Sequence, residues 1–191
     1  MNHARHARIR AMQRLLIAHP TTPCEHLDSL AVHFERDART LVLRYEIAGA
    51  VERILLPAQT GPERRDGLWQ HTCFEIFARS AGARSYVEFN FSPSTCWAAY
   101  AFDDYRAGMR ALEYRHVPSI RLSRDARSLT LETQIELDFA ADATLDRFAL
   151  AAVIEDIDHR KSYWALAHPT AQPDFHHPDA FALAVAPGAM R

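Results

Sequence analysis

Short segments in which apolar and polar residues alternate one for one recur along this 191-residue chain, and that periodicity commits it to β architecture. Leu41, Leu43, Tyr45 and Ile47 alternate with Val42, Arg44 and Glu46, and Leu129, Leu131, Thr133, Ile135 and Leu137 with Thr130, Glu132, Gln134 and Glu136. Each run reads as a half-buried strand. The tetrapeptide Arg36-Asp37-Ala38-Arg39 precedes the first and the identical Arg124-Asp125-Ala126-Arg127 precedes the second. Each in turn follows another alternating segment, with Val32 and Phe34 in one and Ile120 and Leu122 in the other. Two hairpins with equivalent turns are predicted. The repeat is compatible with an internal duplication or with a favoured turn sequence, and neither changes the fold.

Further strands are predicted over Gln13–Ala18, Arg53–Leu56, Gln70–Ala78, Ser85–Ser92, Cys96–Phe102, Phe148–Asp156, Ser162–Ala167 and Phe181–Val185. Phe148 to Ile154 is almost wholly apolar, so it reads as a central strand covered on both faces. Asp103–Leu112 carries Tyr105, Met109 and Leu112 at helical spacing, but Gly108 weakens it, and it reads as a loop with at most one turn. Many short strands, turn signals between them and little helix predict an antiparallel sandwich of about ten strands. At 48% apolar residues the chain can bury one good core, so a single domain is expected.

Composition excludes several partners. Lys plus Arg number 22 and Asp plus Glu 24, leaving no basic field to attract nucleic acid. The basic, histidine-bearing N-terminus has Leu15–Ala18 as its only apolar run, too short for a signal-peptide core or a membrane span, so a cytoplasmic protein that does not engage membranes is expected. Cys24, Cys73 and Cys96 are few, odd in number and without CxxC spacing, which predicts reduced thiols rather than a disulfide framework or a zinc site.

Chemistry concentrates between Asp66 and Arg110 and again near the C-terminus. Period-two alternation puts Val87, Phe89 and Phe91 on one face of a strand and Tyr86, Glu88, Asn90 and Ser92 on the other. The preceding segment places His71, Cys73 and Glu75 together. If the two form a hairpin with coincident polar faces, His71, Glu75, Glu88 and Asn90 line one concave surface. Around His168, the segment Gln172-Pro173-Asp174-Phe175-His176-His177-Pro178-Asp179 gathers imidazoles and carboxylates. Those are good metal ligands, but the spacing fits no standard ligand motif and three prolines stiffen the loop, so no metal is expected and the histidines read as bracing or ligand-contacting.

Leu68-Trp69-Gln70-His71-Thr72-Cys73-Phe74-Glu75, Glu88-Phe89-Asn90-Phe91-Ser92-Pro93, Trp97-Ala98-Ala99-Tyr100, Tyr105-Arg106-Ala107-Gly108-Met109 and Ser162-Tyr163-Trp164-Ala165-Leu166-Ala167-His168-Pro169 with Pro173-Asp174-Phe175-His176-His177-Pro178 resemble the bacterial DOMON-like domain proteins, a group related to family 9 carbohydrate-binding modules. The resemblance covers about residues 13–186 and leaves 1–12 as an unmatched tail, so a tail and one domain over 13–191 are expected. It implies an all-β, immunoglobulin-like sandwich and a ligand site for sugar or haem. DOMON cytochromes hold haem between a methionine and a histidine, and Met109 is the only methionine in a matching block.

A non-catalytic module for a saccharide or sugar derivative is the first functional expectation, because sugars need flat aromatic faces plus carboxylate and amide partners for their hydroxyls. The residues expected to contact ligand are Trp69, His71, Glu75, Tyr86, Glu88, Asn90, Trp97, Trp164, His168, Asp174, His176 and His177. Two alternatives remain open. One is a hydrolase using Glu75 or Glu88 with His71 or His168, although no nucleophile elbow, phosphate loop or HExxH is present. The other is haem carriage.

Overall fold

The structure, a computed structural model, describes residues 12–37, 40–137 and 145–185. Its strands are β1 (Met12–Ala18), β2 (Leu27–Arg36), β3 (Thr40–Gly49), β4 (Cys73–Arg79), β5 (Tyr86–Phe91), β6 (Trp97–Phe102), β7 (Arg110–Ala111), β8 (Ser119–Arg124), β9 (Ser128–Glu136), β10 (Arg147–Glu155), β11 (Lys161–Ala165) and β12 (Leu183–Ala184). One sheet runs β8-β9-β3-β2-β1 and the other β11-β10-β4-β5-β6-β7, with β12 on β10. These strand pairings are antiparallel, and β1 belongs to both sheets: Met12–Leu16 pair with β2, then Ile17 and Ala18 with β11. The result is an all-β sandwich curled like a half-barrel, as the alternation predicts. No helix among the described residues is long and apolar enough to cross a membrane.

The inward residues of the two sheets meet in one core, with Leu30, Phe34, Leu43, Tyr45, Phe74, Phe89, Phe91 and Phe148 fully buried. Each such side chain contributes roughly 1.5–3 kcal/mol by leaving water. Tyr45 keeps its polar end satisfied by donating to the Glu75 carbonyl at 2.8 Å. β10 is central as its sequence predicts, flanked by β4 on one side and by β11 and β12 on the other.

The two predicted hairpins close alike. The Asp37 amide donates to the Thr40 carbonyl and the Thr40 amide to Asp37 Oδ1; Asp125 and Ser128 repeat both bonds. Ala38 and Arg39 lie outside the described residues, as do 1–11 of the expected tail, whose last residue, Met12, opens β1 opposite Phe34.

Several expected strand limits need correction. Arg53–Leu56 is not a strand: Val51–Arg53 form a 3₁₀ turn and Ile54 makes a lone bridge to Asp156. Leu68–Gln70 are likewise a 3₁₀ turn, entered through Gly67 at φ 76°, so β4 begins only at Cys73. Asp103–Leu112 is the expected loop, reversed through Arg106 and Gly108 at positive φ, and it adds the short β7 against β6.

Gly49 ends β3 at φ 138°, where the register against β2 shifts, and a Cβ there meets the His26 carbonyl oxygen and Leu27 Cα, both at 2.7 Å. Backbone cannot retreat as a side chain can. Gly49→Ala is therefore expected to destabilise the protein by about 2–3 kcal/mol, read from urea unfolding, and a change below ~0.5 kcal/mol would show that this junction relaxes freely.

Candidate functional site

Strand parity gives the sheet of β4, β5, β6, β10 and β11 two different faces. Phe74, Ile76, Phe89, Phe91, Leu150 and Ile154 point into the core, and so do Trp97 and Trp164. This corrects the expectation that those two tryptophans contact ligand. Trp97 sits opposite Phe91 and Trp164 opposite Ala152, both inward positions. Trp97 packs on Tyr114 with the Arg64 guanidinium over its ring, and Trp164 Nε1 donates to Ser162 Oγ at 2.9 Å.

On the outward face one register row crosses five strands as Ala165, Ala151, Glu75, Asn90 and Ala98. The next row reads Ala149, Phe77, Glu88 and Tyr100. Short side chains thus flank two polar ones, bordered by rings. The polar faces of β4 and β5 coincide through the Glu75–Asn90 pair. Phe175, Phe181 and Leu68 pack onto this face from connecting segments.

Glu75, Glu88 and Asn90 are buried there. Asn90 Nδ2 donates to Glu88 Oε1 at 2.7 Å, while Glu75 Oε1 and Asn90 Oδ1 are buried without a hydrogen-bond partner. Two unpartnered oxygens in one row are unusual in a folded protein, since each forfeits its hydration. Burial raises the Glu75 pKa well above the carboxylate range, helped by the charge of Glu88, and burial pushes Glu88 up to about 7. His176 lies by the neighbouring row, edge-on to Phe77 and Phe102, with Nδ1 hydrogen-bonded to the Tyr86 hydroxyl at 2.8 Å. Burial, with the Arg106 charge, drops its pKa to about 4. The imidazole is therefore neutral at pH 7, and its 4.0 Å approach to Glu88 Oε2 is not an ion pair there.

The segment carrying His176 is tied down by Asp174, which accepts from Arg106 Nη2 at 2.8 Å, from the Tyr105 hydroxyl and from the His176 amide. His177 caps the turn Pro178–Ala180 through Nδ1 and meets Tyr105 edge-on. His168 stands further off: Nε2 bonds the Ile17 carbonyl at 2.8 Å, and its ring meets the cluster through Phe175. Asp174, His177 and His168 are thus bracing residues in this structure.

At the other end of the face, Trp69 is 38% exposed and stands edge-on to Tyr100, whose hydroxyl donates to Asp66 at 2.7 Å. A cavity of about 740 Å³ opens beside it, lined by Asp66, Leu68, Gln70, His71 and Ser92 among others. His71 precedes β4 rather than lying in it, and its Nδ1 bonds Glu155 Oε2 at 2.7 Å. Sequence reasoning missed Tyr100, Asp66, Glu155 and the alanine row. Parity along β6 and β10 carried the signal for Tyr100 and the alanines.

Among the described residues no group of three or more His, Cys, Asp or Glu could hold a metal ion. Haem fits poorly: Met109 is 50% exposed on its turn, while His176 is half-buried with Nδ1 engaged by Tyr86.

No family model matches the sequence, and no curated protein does. Among solved structures, a Bacteroides uniformis protein provisionally named as carbohydrate-binding aligns over 88% of this chain and 83% of its own, at 14% identity and a TM-score of 0.60. A family 9 carbohydrate-binding module from Caldicellulosiruptor kristjanssonii, in complex with cellotriose, aligns over 84% of this chain and 74% of its own, at 10% identity and a TM-score of 0.51. Identities this low speak to architecture alone, and on architecture they agree: the chain has the fold of the family 9 carbohydrate-binding modules.

Proposed function

We propose that the chain is a non-catalytic saccharide-binding domain whose ligand lies on the outward face between Trp69 and His176. The observation that carries this reading is the pair of buried, partnerless oxygens, Glu75 Oε1 and Asn90 Oδ1, on the face that Trp69 borders. Sugar hydroxyls both donate and accept, so they match the bare Asn90 oxygen and a Glu75 carboxyl that holds its proton, and the exposed indole offers an apolar surface for a ring's C–H groups. Reaching the floor requires the Asp66–His71 segment or the Phe175–Phe181 segment to give way. Those loops hold exposed groups, while the floor is built on strands. The likeness to a module crystallised with cellotriose supports the ligand class.

Calorimetric titration with cellotriose and glucose tests the reading. Wild type is expected to bind at least one of them, and Trp69→Ala and Glu75→Ala each to weaken that binding about tenfold or more, the scale of a buried contact residue. Binding that survives both substitutions unchanged would overturn it, as would no binding to either sugar.

A further inference from the structure

Glu155 ends the central strand β10, and its carboxylate is almost fully buried although the histidines on it are not. Oε2 takes His71 Nδ1 at 2.7 Å and Oε1 takes His159 Nδ1 at 3.0 Å. The acid is further anchored through its backbone amide, which donates to Thr72 Oγ1 at 3.1 Å. His159 adopts φ 59°, in the left-handed region that few non-glycine residues enter, within a turn closed by its own amide to the Asp156 carbonyl. Two imidazoles thus clamp both oxygens of one carboxylate, and one of them, His71, is 63% exposed and lines the cavity beside Trp69.

From this geometry we infer that Glu155 is a positioning residue that fixes the tautomer of His71 and makes its Nε2 a hydrogen-bond acceptor toward the ligand. An ionised carboxylate only accepts, so each facing Nδ1 must carry the proton, and in a neutral imidazole the lone pair is then on Nε2. Burial works against ionisation of Glu155, but the bonds from His159 and His71 outweigh it and hold its pKa below the ordinary value. The inference rests on the saccharide reading above and deepens it. With Asn90 Oδ1 and His71 Nε2 both accepting, the site selects ligands by free hydroxyl donors and rejects sugars whose hydroxyls are O-methylated.

Long-range ¹H–¹⁵N spectra of the imidazoles at mildly alkaline pH, with and without cellotriose, test it. In the wild type both His71 and His159 are expected as the Nδ1–H tautomer, and cellotriose is expected to move the His71 Nε2 signal. Glu155→Gln presents one acceptor and one donor, so one of the two imidazoles must change tautomer. That variant is expected to bind cellotriose about three- to tenfold more weakly, and permethylated cellotriose is expected not to bind wild type. His71 found as the Nε2–H tautomer, with cellotriose affinity unchanged in Glu155→Gln, overturns this inference while leaving the saccharide reading standing. Absence of cellotriose binding to wild type removes the acceptor role along with it, whatever the tautomers.

Discussion

Trp97→Ala is expected to destabilise the protein by about 3–5 kcal/mol, whereas Trp69→Ala changes stability by less than about 1 kcal/mol. Trp97 is buried in the inter-sheet core against Tyr114 and beneath Arg64, so truncation removes both its burial and the contacts of the rings around it. A cavity of that size in a sandwich core has strands on both sides and closes poorly. Trp69 already spends part of its surface in water and leans on Tyr100 by an edge. Urea denaturation of both variants measures the contrast. A Trp97→Ala loss below about 1 kcal/mol would mean that its ring does not belong to the core, and the inward parity of β6 would have to be abandoned. The small expected effect at Trp69 is also what makes that position usable in binding experiments, because lost affinity there reports on contact rather than on folding.

The tryptophans show where sequence reading reaches its limit. Alternation within β5 was enough to place Glu88 and Asn90 on one face, and the hairpin with β4 needed only that polar faces meet polar faces. Trp97 opens its strand, and its side follows only from the register that sets it opposite Phe91. Trp164 is the same case against Ala152. The twin aspartate turns were legible because their chemistry is local, two residues bonding across a reversal. Glu155 was not, because its partner His71 lies 84 positions away on another segment. Nor could the sequence reveal that β1 leaves one sheet to join the other, which depends on twist accumulated over the whole sandwich.

Glu88→Gln and His176→Gln are expected to shift stability with pH in opposite directions. Glu88 titrates near 4.5 in an unfolded chain and at about 7 in the fold, so between those values the folded chain holds a proton that the unfolded chain has released. Its contribution is complete below 4.5 and is lost as pH rises through 7, a difference of roughly 3 kcal/mol. His176 goes the other way, from 6.5 unfolded to about 4 folded. Its contribution is complete above 6.5 and is lost as pH falls through 4, again by roughly 3 kcal/mol. Glu75, raised in the same sense as Glu88, adds to the first trend. In the wild type the carboxyl and imidazole slopes therefore oppose each other between about pH 4.5 and 6.5. Relative to wild type, Glu88→Gln should gain stability as pH rises from 4.5 to 7, and His176→Gln should gain it as pH falls from 6.5 to 4. Glutamine at 176 keeps both a donor and an acceptor for the Tyr86 hydroxyl, so the comparison reads titration rather than a lost hydrogen bond. Urea midpoints measured across this range should give difference curves of opposite slope. Flat or parallel difference curves would mean that these groups are hydrated in solution, and that the loops over the face stand open without a ligand to draw them apart.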